Sequence, residues 1–529
     1  MKKINLSNFI TAFVISIPTF VFVFGIDFIS NKTSFFYFED KITLWVGYES
    51  YLVEDFSFPI FSLNNIYPNE NFSIVWMDAI PLYSLILKVF YKVFHIKFDN
   101  PFIFWNFICY FLSSYFIFKI IKLFTKNKYF QIVSTLIILN TPLLVNRLFW
   151  HSSLGAHFLI LAQIYFLFCI LNDMQKYIFH QSFLLGLSIF IHPYFTAMMF
   201  PVYLFCLYSV NNRVKIWKPV LVSLIILTTY FTFFVKFPIG TSVTSQFNGK
   251  YGSEFNSFFC GKFPNEFINK LLFCEYPYTS YGIEGYGYLG MGILFFLVFL
   301  IFNIKKLIKN YWKILLILFL MVVYSFGNKY KIAHYQFFEF EPTNLHLIFL
   351  SIFRATGRFL WPFYYFICVI SIFYILKLKN KIIVYLILSL GLILQINDVR
   401  YEYMYLQSQY SIPKTINSFG ISDKFDKNLG LLYIIPDERC AFGETDHYVY
   451  VLDYVRNGGK IFGSRTARIK IDPSFCNNYT VDKSIDTYHP NHFILNSKDN
   501  ISEKIKNNYT CLDLNNIFFE LVPNYCFKN

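Results

Sequence analysis

Long apolar runs alternate with short polar stretches over most of the 529 residues. A helix needs about 20 apolar residues to cross a bilayer. Runs of roughly that length predict about 11 spans, near residues 8–28, 101–121, 129–147, 155–172, 178–192, 195–211, 217–236, 286–304, 311–326, 356–376 and 381–398. The pattern therefore predicts an α-helical polytopic membrane protein.

The first run follows the basic start MKKINLSNF and resembles a signal peptide. It is longer than a signal core, and no small-residue cleavage site follows it, so we expect a retained first span. A cleaved signal is the alternative.

The lysine distribution predicts the orientation. If the N-terminus is cytoplasmic, the cytoplasmic loops are 119–128, 172–177, 211–218, 303–310 and 377–381. Every one of them carries Lys or Arg, as the positive-inside rule requires. The opposite orientation would place all of them outside.

One apolar run, residues 79–97, is expected not to span. It places Lys88, Lys92 and His95 on one helical face, which is typical of a helix lying in the interface with its charged stripe in water. Residues 40–56 are also amphipathic enough to lie at the surface. Residues 29–100 are then a first external loop with two interfacial helices.

The remaining outer segments are loops at 237–285 and 327–355 and a tail. Residues 1–398 are expected to form the transmembrane domain. The tail, 399–529, switches to ordinary globular composition, with the strand-like GLLYIIP, a helical ETDHYVYVLDYVRNGGK and the strand-like KIFGSRTA. It predicts a small extracytoplasmic α/β domain.

Composition excludes several classes. The chain is 56% hydrophobic and 15% charged, which leaves too little polar surface for a soluble protein of this length. The net charge of +14 comes from short lysine clusters rather than one basic face, so we expect membrane lipids and no nucleic acid as partners. The absence of GxxxxGK[ST] and HExxH motifs leaves an ATP-driven pump or a zinc protease unsupported.

Six of the ten cysteines fall in predicted outer segments, namely Cys260, Cys274, Cys440, Cys476, Cys511 and Cys526. An even number in an oxidising compartment favours disulfides, most plausibly Cys440 with Cys476 and Cys511 with Cys526. Free thiols remain open. The other four, Cys109, Cys169, Cys206 and Cys368, are expected to be buried small hydrophobic residues.

Unusual ionisable residues gather at the predicted outer ends of the spans: Asp40, Asp78, Arg147, His151, His157, His192, Glu284, Arg354 and Arg358. Polar groups at membrane depth are costly and usually face a cavity or a partner. Their collection on one leaflet therefore predicts a polar site there, with Tyr286 beside Glu284 as a further candidate.

Each residue also has a purely structural interpretation. Asp78 could cap the helix that starts near Pro81, and Asp40 could be a solvated helix start. His192 could be a hydrogen-bonding group at a helix end. Arg354 and Arg358 could anchor in the interface, although a spacing of four residues would place both guanidinium groups on one helical face, suited to a phosphate or pyrophosphate.

A long acidic first outer loop, many spans and an external soluble domain resemble the plan of the GT-C glycosyltransferases. The blocks WMDAIPL, WHSSLGAHFLILAQIYFL, IHPYF, EGYGYLGMG, FRATGRFLWPFYY and KIFGSRTARIKIDPSFC look more closely like a bacterial family of polytopic membrane proteins of unknown function. This resemblance covers most of the chain in matching order.

The GT-C resemblance implies transfer of a sugar from a polyprenyl-phosphate donor to a glycan, lipid or protein acceptor at the outer face of the bacterial cytoplasmic membrane. An acidic residue soon after the first span is the usual base or acceptor-positioning group in that family, and Asp40 has this position.

The residue types then suggest a division of roles. Asp40 or Asp78 would be the base, and Arg354 and Arg358, with Arg147 as a candidate third cation, would hold the phosphate. His151, His157 and His192 would bind phosphate or orient the carboxylates. No cofactor is required by the spacing, although a divalent metal held by the carboxylates and Glu284 is an open alternative.

Two other function classes compete with a transferase. A transporter or lipid flippase predicts polar residues through the depth of the bilayer, and the central parts of these spans are nearly free of charge. A non-catalytic envelope assembly factor would depend on residues 399–529 rather than on Asp40, Asp78 and the arginines.

Overall fold

The computed structural model describes most of the helical region and part of the C-terminal region. The described residues are 6–30, 39–66, 72–98, 100–210, 215–235, 251–261, 284–332, 335–343, 346–347, 349–350, 353–408, 431–435, 448–462, 492–495, 507–513 and 524–528.

The described helices follow the apolar runs of the sequence. They are α1 Leu6–Ser30, α2 Glu39–Val53, α3 Pro81–Phe94, α4 Pro101–Phe124, α5 Lys128–Leu139, α6 Pro142–Trp150, α7 Phe158–Leu171, α8 Tyr177–Ser188, α9 Pro193–Ser209, α10 Trp217–Thr229, α11 Met291–Ile301, α12 Ile304–Ser325, α13 Trp361–Leu376, α14 Lys381–Ser408 and α15 Tyr448–Arg456. Short 3-10 helices cover Ile74–Met77, Ser152–Gly155 and Thr356–Leu360.

Within the described residues, seven helices are long and apolar enough to cross a membrane, or eight if the bent pair α5 and α6 counts as one span. They cover Leu6–Ile26, Pro101–Phe124, Ser152–Leu171, Trp217–Phe234, Ile304–Ser325, Thr356–Leu376 and Lys381–Ser408. The chain is therefore a helical membrane protein. Helices α8, α9 and α11 are shorter than this length, so a total of about 11 spans stays a prediction.

Two helices form the centre of the bundle. The most apolar windows of Ser152–Leu171 and Thr356–Leu376 are 94% and 83% buried, whereas that of Trp217–Phe234 is 17% buried. Proline occupies the first turn of several helices, because it fixes a helical φ and lacks the N–H that would be unpaired there. Pro101, Pro142 and Pro193 all occupy the first turn of their helices.

The first long loop contains the two predicted helices, but the expected orientation of α3 is wrong. Lys88 is buried, with its Nζ atom 3.2 Å from the Asp55 carbonyl oxygen and 3.9 Å from the Tyr51 ring centroid. Lys92 donates to the Asp55 carboxylate at 2.8 Å. This face packs on the C-terminal end of α2, which satisfies the ammonium groups, and the exposed face carries apolar residues such as Val93.

The sequence predicts that residues 40–56 lie at the surface, but helix α2 is buried. All its residues from Lys41 to Leu52 are buried. One side contacts α15, where Arg456 Nε donates to Glu49 Oε1 at 3.1 Å and the guanidinium lies 4.3 Å from the Trp45 ring centroid. Lys97 Nζ lies 2.9 Å from the other Glu49 oxygen. The first loop and the C-terminal region are therefore joined by a buried charged contact.

The described strands form two sheets. Strands β1 Lys329–Ile332 and β2 Tyr335–Glu339 form an antiparallel hairpin. The other strands are β3 Leu431–Ile435, β4 Lys460–Phe462, β5 His492–Leu495, β6 Tyr509–Asp513 and β7 Asn524–Lys528, in the order β4-β3-β5-β7-β6. Strand β3 is parallel to β4 and β5, while β7 is antiparallel to β5 and β6. Helix α14 continues to Ser408, past the predicted boundary at residue 398.

The described cysteines include both buried free thiols and a disulfide-bonded residue, as the sequence suggests. Cys109, Cys169, Cys206 and Cys368 are buried free thiols, which confirms their prediction. Cys260 is disulfide-bonded. The backbone register places Cys511 directly opposite Cys526, so their predicted pairing remains a prediction with a suitable register. Cys274, Cys440 and Cys476 lie outside the described residues.

Candidate functional site

A polar cavity of about 100 Å³ opens at the end of the bundle where α2 begins and α6 ends. Its walls come from the first loop, the turn after α6 and the segments before α11 and α13. The lining residues are Lys41, Thr43, Leu44, Trp76, Met77, Asp78, Trp150, His151, Ser152, Ser153, Glu284, Arg354 and Arg358.

Asp78 reaches this cavity through an unusual backbone turn. The 3-10 helix Ile74–Met77 ends at Asp78, which has φ of 52° and ψ of 24°, a left-handed conformation that Asp tolerates better than most residues. Ile80 also has φ of 52°, and it is the residue that precedes α3. The expectation that Asp78 caps α3 is therefore wrong, because two further residues intervene and its side chain bonds elsewhere.

Helix α2 fits closely against this turn because residue 47 is glycine. A Cβ atom at Gly47 would lie 2.5 Å from the Met77 Cβ atom, which is closer than carbon atoms pack. Ser73 completes the turn from the other side, donating to the Phe61 carbonyl at 3.0 Å. The turn that presents Asp78 is thus fixed by packing.

His192 orients the Asp78 carboxylate. The His192 Nδ1 atom accepts the Tyr194 N–H at 3.2 Å, so the ring proton of the neutral imidazole resides on Nε2. Nε2 lies 3.3 Å from Asp78 Oδ1 and donates to it. Both imidazole nitrogens are therefore engaged, which makes His192 a positioning residue and leaves Asp78, whose side chain is 41% exposed, as the available proton acceptor.

The surroundings keep Asp78 ionised. Burial alone would raise the pKa of this carboxyl group, but the hydrogen bond from His192 and the positive charge of Arg358 lower the pKa below its ordinary value. The carboxylate form that can accept a proton is consequently the resting form.

Glu284 is the centre of a second charged cluster. Arg358 forms a two-pronged contact with it, Nε to Oε2 and Nη2 to Oε1, both at 2.8 Å. Arg147, whose side chain is fully buried, adds Nη1 to Oε2 at 3.1 Å and Nη2 to the Glu284 carbonyl at 3.1 Å. Burial would raise the pKa of Glu284, yet the two guanidinium groups hold it well below its ordinary value.

Backbone contact between glycines allows this cluster to form. A Cβ atom at Gly357 would lie 2.6 Å from the Gly285 Cα atom and 3.0 Å from the Glu284 carbonyl carbon. The chain before α11 can therefore touch the 3-10 helix before α13. This contact places Glu284 beside Arg358.

Tyr194 links the two halves of the site and is missing from the residues that the sequence suggested. Its N–H fixes His192, its hydroxyl accepts the Ala355 N–H at 2.8 Å, and its ring lies 4.4 Å from the Arg358 guanidinium. The IHPYF block contains it, but an aromatic residue in a chain this rich in aromatics carries little signal.

Lys41 is the second residue that sequence reasoning missed. It lines the cavity although the residue is 2% exposed, and its Nζ atom lies 4.0 Å from the Phe149 ring centroid and 5.6 Å from that of Trp150. The sequence feature that could have indicated Lys41 is its position next to Asp40 in a predicted outer segment. Asp40 itself belongs to the first turn of α2, and its side chain lies outside the described residues.

The structure brings together five of the predicted residues around one cavity: Asp78, His151, Glu284, Arg354 and Arg358. His192 and Arg147 contact them from behind the cavity wall. Arg354 precedes the 3-10 helix, so the predicted helical spacing of the two arginines is wrong even though both reach the cavity.

Two predicted residues point elsewhere. The His157 Nδ1 atom lies 2.7 Å from the Tyr365 hydroxyl in the core, with the imidazole stacked 4.5 Å from the Trp361 ring. The Tyr286 hydroxyl donates to Glu402 at 3.4 Å. Both side chains are buried in helix packing, and neither lines the cavity.

The positions of the His, Cys, Asp and Glu side chains determine whether the cavity could hold a metal ion. In the described part of the chain, no group of three or more His, Cys, Asp or Glu side chains is placed to hold a metal ion. The Glu284 carboxylate, which was a candidate ligand, is occupied by two guanidinium groups. The cavity instead combines one oriented carboxylate with several cations, an arrangement that suits an anionic ligand and proton acceptance.

Comparison with known proteins adds one finding. A family model described as a domain of unknown function (DUF6311) matches residues 13–400. This range includes every residue that lines the cavity and ends before the five-stranded sheet. A comparison with curated proteins gave no match.

Proposed function

The chain belongs to the DUF6311 family, and we propose that it is a membrane glycosyltransferase of the GT-C type. It transfers a sugar from a polyprenyl-phosphate donor to a glycan, lipid or protein acceptor. One observation carries the proposal: the Asp78 carboxylate, oriented by His192, faces the same cavity as Arg354 and Arg358.

The chemistry divides between these groups. An acceptor hydroxyl in the cavity attacks the anomeric carbon of the donor sugar while the bond from that carbon to the phosphate oxygen breaks. Asp78 accepts the hydroxyl proton, and the departing prenyl phosphate takes the bonding electrons. The Arg354 and Arg358 cations stabilise the charge that develops on the phosphate.

Glu284 supports this arrangement rather than reacting. Its two oxygens hold the Arg358 guanidinium in a fixed fork, and Arg147 holds Glu284 from the buried side. A fixed cation stabilises a transition state better than a flexible one, because no reorganisation is needed during the reaction. His151, with Nε2 4.0 Å from Glu284 Oε1, adds a donor beside the phosphate.

We place the protein in the bacterial cytoplasmic membrane with about 11 spans and with the cavity at the outer face. The five-stranded sheet and α15 would then form an extracytoplasmic α/β domain. Parallel strands β3 and β4 connected through α15 support that class. The contact of Arg456 with Glu49 supports a common side for this domain and the first loop.

The decisive experiment compares Asp78→Asn with Asp55→Asn. Asp55 belongs to the same loop, but its side chain is 98% exposed and it pairs with Lys92 away from the cavity. Full-length variants in membranes would be given a panel of short polyprenyl-phosphate hexoses, and release of prenyl phosphate would be measured. We expect Asp78→Asn to reduce transfer by about 100- to 10,000-fold and Asp55→Asn to leave it unchanged.

Other results would identify the competing classes. Full transfer by Asp78→Asn would refute Asp78 as the base, and a parallel Asp40→Asn variant would then test the other predicted carboxylate. Uptake or flipping of a prenyl-linked sugar without bond cleavage would favour a transporter. Loss of envelope glycan only on deletion of residues 409–529 would favour an assembly factor.

A further inference from the structure

Helix α3 has an apolar outer face. Every exposed residue of this fully described helix is apolar, with an exposed fraction between 40% and 61%. These residues are Ile86, Val89, Phe90, Val93 and Phe94. Steps of three and four residues place them in one row along one side of a helix.

The polar side chains of α3 are turned the other way, towards α2. Lys88 is buried with its Nζ atom over the Tyr51 ring, and Lys92 is half-buried and donates to the Asp55 carboxylate. A helix on the surface of a soluble protein has the opposite pattern, with its apolar side inward and its charges in water. Charges turned inward and apolar groups turned outward are typical of a helix surrounded by hydrocarbon.

Helix α2 separates α3 from the C-terminal region. One side of α2 carries Trp45 and Glu49, which contact Arg456 of α15. Because 3.6 residues complete a helical turn, Gly47 and Tyr51 lie on the other side. Gly47 touches the turn before α3, and Tyr51 lies beneath a lysine of α3. Helices α15 and α3 therefore flank α2, and α15 does not cover the apolar row.

Helix α3 begins beside the end of a membrane span. The Tyr83 hydroxyl donates to the Pro101 carbonyl at 2.7 Å, and the Tyr83 ring lies 5.0 Å from the Trp105 ring. Both partners belong to the first turns of α4, which is long and apolar enough to cross a membrane. Phe104 on the same span is 56% exposed. The apolar row of α3 thus starts at the level where a lipid-facing helix starts.

We propose that the apolar row of α3 lies in the acyl chains at the bilayer boundary, on the side of the membrane where the cavity opens. Soluble surfaces rarely expose a continuous apolar patch, so the row requires a cover. Helices that lie in the interface bury such a face about 5–10 Å into the boundary between headgroups and acyl chains. The membrane therefore contacts the side of α3 opposite to the lysines.

This placement sets the depth of the cavity. Asp78 and the first residue of α3, Pro81, belong to one short segment, and the turn at Asp78 packs against Gly47. With α3 in the bilayer boundary, the Asp78 carboxylate lies near the level of the lipid headgroups. A lipid-linked substrate then reaches it without leaving its leaflet. That last consequence rests on the proposed function, whereas the placement of α3 does not require any sugar transfer.

Photocrosslinking of the full-length protein tests the placement. The photoreactive residue p-benzoylphenylalanine, which captures nearby C–H bonds, would replace Phe90 or Phe94 in protein reconstituted into nanodiscs of phosphatidylethanolamine and phosphatidylglycerol. Phe104 of the span α4 is the positive control, and Lys460, an exposed residue of β4, is the control for a position away from the bilayer. The melting temperature of each protein would be recorded before irradiation.

Mass spectrometry of the products separates the outcomes. We expect lipid adducts at positions 90 and 94, as at position 104, and loss of the lipid adduct at position 460. Absence of lipid adducts at both α3 positions, with position 104 labelled, would overturn the proposal. Crosslinks from α3 to a second copy or to another segment of this chain would also overturn it, because protein would then cover the row.

The same measurement distinguishes this proposal from the proposed function. If lipid adducts form on α3 while Asp78→Asn retains full transfer, the placement stands and the role of Asp78 as the base fails. If Asp78→Asn abolishes transfer and α3 gives no lipid adduct, only the placement fails.

Discussion

The His192 Nε2 atom lies 3.3 Å from Asp78 Oδ1 while the His192 Nδ1 atom is committed to the Tyr194 N–H. The imidazole cannot accept a proton through either nitrogen without breaking one of these contacts. A histidine beside a carboxylate is often the base, with the carboxylate as its support. The proposed mechanism reverses those roles, with Asp78 as the base and His192 as its support.

Replacing His192 should therefore slow the reaction without weakening donor binding. We expect His192→Ala to lower kcat by about 100-fold, because the carboxylate loses its fixed orientation, with KM little changed. His192→Gln, whose amide can donate to Asp78, should recover part of the rate. Steady-state kinetics with His180→Ala as the control, an exposed histidine of α8, would check this. A change in KM alone would contradict it.

Removal of the Glu284 charge should destabilise the protein. Glu284→Gln removes from residue 284 the negative charge that faces the buried Arg147 guanidinium. Breaking a buried ion pair in this way costs about 3–5 kcal/mol. Thermal unfolding in detergent should show a lower melting temperature. The double variant Arg147→Met with Glu284→Gln should recover stability relative to Glu284→Gln, and failure to recover would argue against a direct pair.

The same carboxylate predicts a pH dependence of stability. The pKa of Glu284 lies well below 4.5 in the folded protein, so its ionised form contributes stability above the unfolded pKa. That contribution is lost as the pH falls through the folded pKa. The stability difference between wild type and Glu284→Gln should be constant from about pH 5 to pH 8 and should shrink below about pH 4.5. A difference that shrinks on raising the pH would be the contrary result.

The register of the last two strands predicts a disulfide. Cys511 and Cys526 are opposite each other in an antiparallel pair, where Cα atoms lie about 4.5–5.5 Å apart, within the range that a disulfide requires. Peptide mass spectrometry of the unreduced protein should find the two cysteines linked. Alkylation of both thiols without prior reduction would refute the pairing.

Sequence periodicity predicted the helical membrane class and the gathering of charged residues at one end of the bundle. It succeeded because apolar length and topology fix which helix ends are neighbours. It did not predict how each side chain is turned. His157 and Tyr286 follow the same pattern as His151 and Glu284, yet they face the core, because the direction of a side chain beside a helix end depends on its packing partners.

Lys88 in the first loop is a second residue whose side-chain direction the sequence did not predict. A lysine stripe on an amphipathic helix normally faces water, but the carbonyl groups at the end of α2 and the Tyr51 ring provide partners that the sequence does not place beside it. The turn at Asp78 was equally hidden, because it depends on contact with Gly47 of α2.

The contact between Glu49 and Arg456 also has a consequence for how the protein is made. The two residues are 407 positions apart. At 5 to 20 residues per second, the ribosome needs about 20 to 80 s to add that length of chain. Helix α2 emerges early and carries Lys41, but the Arg456 guanidinium that pairs with its Glu49 is added 407 residues later. The first loop can thus contact the C-terminal region only after the described residues that line the cavity have been made, and a chain interrupted between Arg358 and Arg456 would contain those residues without this contact.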